Sequence, residues 1–543
     1  MVFLAENSVY IPTKDLLSWI FDDIPYDQDT KIYIDANDPS RSISPKQARL
    51  IIRKLVAGFH AAGLEKGDCV CLHSFNDIYY SMIFLGIIAA GGIFTGTNPS
   101  YTSHELIHHI KTSEAKFLIT EPKMLTNILA SAKECDIQSS NIWIFDVLEQ
   151  VIPDGFKSFN ELMKHGEEDW IRFDDEKVSR ETTAARLFSS GTTGPPKAAV
   201  LSHYNLVAQH TLVYEQARRP YTLRRVVALP MFHAACVPSV HTSALKAGHV
   251  SIVMRRFELN PFLHHVKAHQ TNELMLVPPI AIALIMSGLA GDKLKTIKHA
   301  AIGAAPMGKE AQEKLKQLCA PGATATQVFG MTETSCICTM FHYWEDDNTG
   351  SVGRMLPNID AKIIDDEGND ITAYDVRGEL CVRGPTIISG YYKNQPANQL
   401  SFDSSQFFKT GDIAYCSHPS KKWYIISRKK ELIKVRGFQV APAEIESVLL
   451  SHPLIIDAAV IGIKGSDADG EMPRAYVVRR HGEEGSRLEE KDVKGWCGER
   501  LARYKELNGG VRFVETIPKN ASGKILKRIL EEQAEREMKM ARL

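Results

Sequence analysis

The chain has 543 residues, too many for one core, so two to four domains are expected. Its 44% hydrophobic and 24% charged residues are ordinary for a globular protein, and a formal net charge of −1 argues against a nucleic-acid-binding or membrane-surface protein. The 10 cysteines are scattered without a CxxC pair and read as reduced thiols of an intracellular protein. The opening residues do not form the basic, apolar and small-residue pattern of a secretory signal. The longest apolar run, residues 82–94, is interrupted by Gly86, Gly91 and Gly92 and falls short of a span of about 20 residues. It reads as a buried helix of a soluble protein.

In chain order, residues 45–62 place Ala48, Leu50, Ile51, Leu55, Val56 and Phe59 at helical spacing, with Gly63 closing the helix. Residues 69–72 read as a strand, 78–90 as a helix, and 117–120 and 142–145 as short apolar strands. This alternation is the rhythm of βαβ units and a parallel sheet. Ligands on such sheets bind at the carboxyl ends of the strands.

A loop of that kind follows Ala185-Arg186-Leu187-Phe188. In Ser189-Ser190-Gly191-Thr192-Thr193-Gly194-Pro195-Pro196-Lys197, hydroxyl residues and glycines fill nearly every place. Converging N–H and hydroxyl donors closed by a lysine suit an anion, phosphate above all. The spacing is not that of a Walker loop, and Ala198 stands after the lysine. Residues 226–230 are then expected as a strand leading into Met231-Phe232-His233. Strands at 250–254, 273–277 and 299–302 follow, the last two ending in Pro278-Pro279 and in Gly303-Ala304-Ala305-Pro306. Residues 325–333 form another strand-to-loop edge. From about residue 350 short strands (361–364, 378–382, 423–426) suggest a small, partly antiparallel unit. A boundary near Ser427 then precedes a helix at 442–450, strands at 457–463 and 474–478, and a helix at 488–503. The expected fold is α/β multidomain: a large N-terminal region of parallel-sheet subdomains with a small β unit (1–426), then a small mobile α+β domain (427–543).

With these stretches in order, the chain resembles the adenylate-forming superfamily of acyl-CoA synthetases, adenylation domains and luciferases, and is most similar to its 4-coumarate–CoA ligase branch. Besides the 189–197 loop, the motifs are Pro230-Met231-Phe232-His233, Gly303-Ala304-Ala305-Pro306 and Phe329-Gly330-Met331-Thr332-Glu333. Thr410-Gly411-Asp412, Lys430-Glu431-Leu432-Ile433-Lys434 with Gly437-Phe438-Gln439, and Pro518 to Ile525 around Lys524 complete the set. The resemblance implies two half-reactions. A carboxylate attacks the α-phosphate of ATP to give an acyl-adenylate and pyrophosphate, and coenzyme A then displaces AMP.

The same resemblance implies the roles. Ser189, Ser190, Gly191, Thr192, Thr193, Gly194 and Lys197 would hold the β- and γ-phosphates. Thr332 would meet the α-phosphate, Glu333 would bind Mg²⁺, and Phe329 would stack on adenine beside Gly303, Ala304 and Ala305. Asp412 would accept from the ribose hydroxyls, assisted by Arg428. Lys524 would carry adenylation. Lys430 would be the hinge about which the small domain swings. Lys434, Gly437 and Phe438 would form the coenzyme A face, with Gln439 next to the adenylate. His233 would stand between the acyl pocket and the thiol tunnel.

Several positions depart from the family pattern. Ala198 and Ser427 stand where glycine and aspartate are usual, and Gln406-Phe407 where Gly-Trp is common. The acyl pocket would be lined by His233, Ala235, Ser239, Ala301, Val328, Gly330, Cys336 and Ile337, an apolar wall without the phenol-binding hydroxyl of the hydroxycinnamate ligases. A medium-chain fatty acid or an aryl-alkanoic acid is therefore expected over 4-coumarate. An acyl-AMP ligase that loads a carrier protein and a hydroxycinnamate ligase remain as alternatives. The C-terminal Ala541-Arg542-Leu543 fits the small–basic–leucine peroxisomal address, which would bring an import receptor as a partner.

Overall fold

The computed structural model describes residues 3–189, 195–435, 438–464, 470–520 and 523–540. Its largest sheet has seven strands in the order Lys157–Ser158, Ile142–Ile144, Ala115–Thr120, Cys69–His73, Ile93–Thr97, Thr183–Ser189 and Lys197–Ser202. All neighbours are parallel except the last pair, the hairpin that flanks the hydroxyl/glycine loop. Helices cover this sheet, so Cys69–His73 is buried along its whole length. The helix Ile78–Ala89 packs beneath it, buried at every residue but Tyr79, which explains its unbroken apolar sequence. The amphipathic helix Pro45–Ala61 begins at a reciprocal cap in which Ser44 and Gln47 satisfy each other's backbone N–H groups.

Two further sheets carry the strands that run toward the site. Arg224–Val227, Val250–Val253, Tyr33–Asp35 and Ser42–Ile43 form one. Glu273–Leu276, His299–Ile302 and Thr324–Gln327 form the other, all parallel. The expected edge at 325–333 is two elements. Thr324–Gln327 ends in the parallel sheet, and Phe329–Met331 turns back into an antiparallel pair with Cys336–Met340. Gly330 permits that turn, because a Cβ there would lie 1.7 Å from the Cys336 carbonyl oxygen. A five-stranded antiparallel sheet contains Asp360–Ile364, Gly378–Arg383, Phe408–Cys416 and Trp423–Arg428.

Beyond it come a hairpin (Ile433–Val435, Phe438–Val440), the helix Pro442–Leu450 and a sheet of Ile455–Lys464, Glu471–Arg479 and Val511–Phe513. The helix expected over 488–503 is shorter, Glu490–Gly498, and a separate turn follows at Arg503–Lys505. Gly495 and Gly498 weaken the pattern there. The buried apolar clusters respect the change of texture: one draws on Ile11 to Trp423, and others on Ile433 to Val511 and on Ala459 to Ala534. No described helix is long and apolar enough to cross a membrane.

Candidate active site

A cavity of about 610 Å³ lies over the carboxyl ends of the parallel strands and runs back along one face of the three-stranded sheet. Side chains alternate across a strand, and the register sets Glu273, His299 and Thr324 abreast, then Met275, Ala301 and Thr326 abreast. Glu273, Met275, His299, Ala301 and Thr326 all line the cavity, and so do Gly303 and Val328 beyond the strand ends. The small side chains Ala301 and Gly303 leave room along this face. The opposite wall comes from Phe232, His233, Ala234, Ala235, Cys336 and Ile337.

His233 is held by its own loop. Asn76 receives the Met231 N–H at 2.8 Å and donates to the Leu229 carbonyl at 2.9 Å. His241, bonded in turn to Ser81, fixes the Met231 carbonyl at 2.9 Å. The Ala235 N–H donates to His233 Nδ1 at 3.2 Å, so the imidazole proton sits on Nε2. Burial drops the His233 pKa to about 4, which keeps the ring neutral at neutral pH.

At the other end of the cavity, Thr332 and Glu333 occupy a single turn, Thr332–Thr334, both buried. Gln209 donates to the Thr334 and Ile337 carbonyls at 3.0 and 2.6 Å and so braces this turn from below. Ile388 N–H donates to the Glu333 carbonyl at 3.0 Å, and Asn205 holds Pro385 and Ile387 in place. Glu333 Oε1 accepts from the Tyr391 hydroxyl at 2.7 Å. The Tyr391 ring also lies 4.9 Å beneath Lys197 Nζ, so one tyrosine organises an acid and a base at the mouth. Tyr391 was not singled out in the sequence, where Tyr391-Tyr392 carries no motif.

Asp412 and Arg428 face each other on adjacent antiparallel strands, with Arg428 Nε 2.8 Å from Asp412 Oδ1. Asp412 is almost wholly buried, and its Oδ2 has no hydrogen-bond partner among the described residues. Burial pushes its pKa up to about 6 although Arg428 and Lys524 pull it down. Ser427 pairs with Ile413 in the same ladder and leaves the Arg428–Asp412 contact intact.

Lys524 enters this cavity from the C-terminal segment, alongside Asn520. Its N–H bonds to Asn520 Oδ1 at 2.9 Å, and its carbonyl accepts from the Asn520 N–H at 2.9 Å. The turn needs Gly523, at φ +80°, where a Cβ would also press on Pro279 and Val277 at 3.2 and 3.3 Å. Burial, then Arg428, lowers the ammonium's pKa below the lysine range, while Glu431, Asp412 and Glu333 hold it up. Lys524 thus stands among the residues expected to contact ATP.

Of the remaining expected residues, Ser189, Lys197, Ala304, Gly330 and Lys430 line the cavity. Ser190, Gly191, Thr192, Thr193, Gly194, Gly437 and Ala541-Arg542-Leu543 lie outside the described residues. Ser239 does not reach the cavity: its hydroxyl turns back to the Ala235 carbonyl at 3.1 Å within its own helical turn. Phe329 is buried, and neither it nor Ala305 forms part of the cavity wall. Lys434, Phe438 and Gln439 are exposed on their hairpin, away from the wall. Phe438 stacks on Tyr504 at 4.6 Å, and Gln439 donates to Asp366 at 3.4 Å. The expected apolar wall also needs correction, because Arg219, Arg225, Glu273 and His299 line the deep end.

Residues 25–392 match the AMP-binding enzyme family, and residues 444–524 match the AMP-binding enzyme C-terminal domain. The chain belongs to the AMP-binding enzyme family. The ligase is 51% identical over 543 residues to phenylacetyl-CoA ligase epaB of Aspergillus niger, covering 99% of this chain and 100% of that one. It is 52% identical over 536 residues to acyl-CoA ligase azaF of the same species, covering 98% and 100%. Among solved structures, ATP-bound MatB from Rhodopseudomonas palustris superposes with a TM-score of 0.84 at 26% identity, covering 96% of this chain and 98% of MatB. The protein is an ATP-dependent, AMP-forming acyl-CoA ligase.

Proposed function

We propose that this ligase activates a medium-chain fatty acid or an aryl-alkanoic acid, with its carboxylate between His233 and Lys524 and its tail along the Ala301 face. The observation that carries the reading is Lys524 in one cavity with Thr332, Glu333, Arg428 and the acyl channel. A free carboxylate is a poor electrophile, so the first half-reaction works by placing it in line with the α-phosphate and spreading the developing negative charge. Lys524 neutralises charge on the α-phosphate and the acid together, and Thr332 donates to the same phosphate. Ser189, Lys197 and the loop between them hold the departing pyrophosphate. Asp412 accepts from the ribose hydroxyls, oriented by Arg428. The resemblance of one relative to this chain supports the aryl option, since that relative is named a phenylacetyl-CoA ligase.

Glu333 suits Mg²⁺. It is a buried carboxylate at the phosphate end with one oxygen committed to Tyr391. No group of three or more His, Cys, Asp or Glu side chains that could hold a metal occurs among the described residues, so phosphate oxygens and water would complete the shell. When bound, the ion offsets phosphate charge. For the second half-reaction, the domain from residue 427 onward turns about Lys430, withdrawing Lys524 and bringing Lys434, Phe438 and Gln439 toward the adenylate. The exposure of these three side chains is consistent with a face held in reserve. The Ala541-Arg542-Leu543 tail would direct the enzyme to peroxisomes. Import of a fluorescent fusion should be lost on removing those three residues, and unchanged import would dismiss the address.

Separate assays of the half-reactions test the roles. Lys524→Ala should lower pyrophosphate release about 10²- to 10³-fold while sparing thioester formation from supplied acyl-AMP. Lys434→Ala should do the reverse. Equal damage to both steps by Lys524→Ala would defeat the division of labour.

A further inference from the structure

The deep end of the acyl channel is polar, and the polarity is cationic. Arg225 is 5% exposed and sits at the start of the strand Arg224–Val227, opposite the end that carries His233. Its guanidinium has five N–H donors. One of them reaches the Tyr214 hydroxyl at 3.3 Å. Its Nη2 lies 3.7 Å from Glu273 Oε2, beyond hydrogen-bond range, and its Nε has no partner among the described residues.

Glu273 is already engaged. Its Oε1 takes Arg219 Nε at 2.8 Å and the Tyr221 hydroxyl at 3.1 Å. Two buried guanidinium groups therefore share one carboxylate. The imidazoles beside them are neutral. His299 is bonded to Thr324 at 2.8 Å, and His249, whose Nδ1 lacks a partner, is pushed far below the usual imidazole range by burial and then by Arg225. Cys236 and Cys336 stay protonated because burial raises both thiols. A buried cation with unsatisfied donors is costly unless something else supplies acceptors. Arg225, Arg219, Glu273 and His299 line the same cavity as His233 and Ala301, so that supplier can be the substrate's far end.

We propose that the acid this ligase activates carries an oxygen acceptor at the end remote from its reacting carboxylate, and that Arg225 selects it. This rests on the acyl-CoA ligase reading and narrows its substrate class to acids with a terminal hydroxyl, carbonyl or second carboxylate. The strand Glu273–Leu276 sets the scale: three residue steps at about 3.3 Å separate the floor from the catalytic end by about 10 Å. Medium-length acids span that distance, and short ones do not. A carboxylate would pair with Arg225 in two parallel bonds and balance the excess charge, whereas a hydroxyl or carbonyl would supply an acceptor oxygen without charge.

The test compares kcat/KM for acyl-CoA formation with octanoic, 8-hydroxyoctanoic and octanedioic acids, and with the ten-carbon counterparts. In the wild type, at least one oxygen-terminated acid should exceed its methyl-terminated partner about tenfold or more. The hydroxy and dicarboxylic arms separate a neutral acceptor from an anionic one. Arg225→Met should collapse the ratio toward one, and Arg225→Lys should keep part of it for the dicarboxylic acid. The ratio within each variant cancels general damage to folding, and the wild-type ratio needs no variant at all. Methyl-terminated acids preferred by the wild type, or a ratio unmoved by Arg225→Met, would overturn the proposal while leaving the ligase reading standing. No acyl-CoA from any acid in these series would count against that ligase reading instead.

Discussion

Asp412 is held in an environment that opposes its proposed task. To accept from ribose hydroxyls it must be ionised, yet burial raises its pKa to about 6. The KM for ATP should therefore rise as pH falls below about 6. Asp412→Asn should raise that KM about tenfold to a hundredfold at pH 7.5, the range for hydrogen bonds to a charged group. The linkage runs the other way for stability. A carboxyl whose pKa is raised on folding binds more protons in the native state between about 4 and 6, so its contribution to stability declines as pH rises through that window. The unliganded Asp412→Asn protein should consequently melt higher than the wild type at pH 7.5. A lower melting temperature would mean that the Arg428 contact outweighs burial. His233 presents the simpler case: neutral, with its proton on Nε2, it should show no ionisation in kcat above pH 5, and a pKa near 6.5 in that profile would contradict its burial.

At the scale of elements, the proposed acyl channel takes its length from the parallel sheet Glu273–Leu276, His299–Ile302, Thr324–Gln327, whose cavity face is stepped from small to polar. Ala301→Phe should cut kcat/KM for ten-carbon acids at least tenfold while tolerating acids of four carbons or fewer. Equal loss for all lengths would place the channel elsewhere. The strands themselves were legible from short apolar runs, and so were their terminal loops, because proline, glycine and small residues mark where a strand gives way to a ligand site. Arg225 and Glu273 were not, although both stand in or beside those runs. A charge at the head of an apolar strand reads as solvent-facing until the neighbouring strand shows that the head is covered. Ser239 failed for a related reason: position in a motif cannot tell whether a hydroxyl points into a channel or back to the carbonyl four residues earlier. Tyr391, 58 residues from Glu333 in sequence, was invisible because only the fold brings the two together.

For the whole molecule, the small C-terminal unit lays Lys524 in the cavity while Lys434 and Gln439 stay exposed, which under the proposed division of roles suits adenylation and not thioester formation. The large unit carries a second signature. Burial lowers His73, His233, His241 and His299 to about 4, and His109 and His203 to about 3. Histidines whose pKa is depressed on folding bind more protons when unfolded, so stability is full above about 6.5 and is lost as pH falls toward 4. The melting temperature should drop steadily between pH 7 and pH 5, against the smaller opposite trend of Asp412. A flat profile over that interval would mean that these rings are solvated.

The measurement that bears most directly on the account is acyl-CoA production by the purified enzyme with ATP, Mg²⁺ and coenzyme A across a panel of alkanoic, terminally oxygenated and aryl-alkanoic acids. AMP and pyrophosphate should be counted alongside the thioester, with Lys524→Ala as the control. One class of acid should give equal amounts of acyl-CoA, AMP and pyrophosphate, and Lys524→Ala should lower all three about 10²- to 10³-fold. Pyrophosphate release without thioester at saturating coenzyme A would contradict the account and point to a carrier protein as the acyl acceptor.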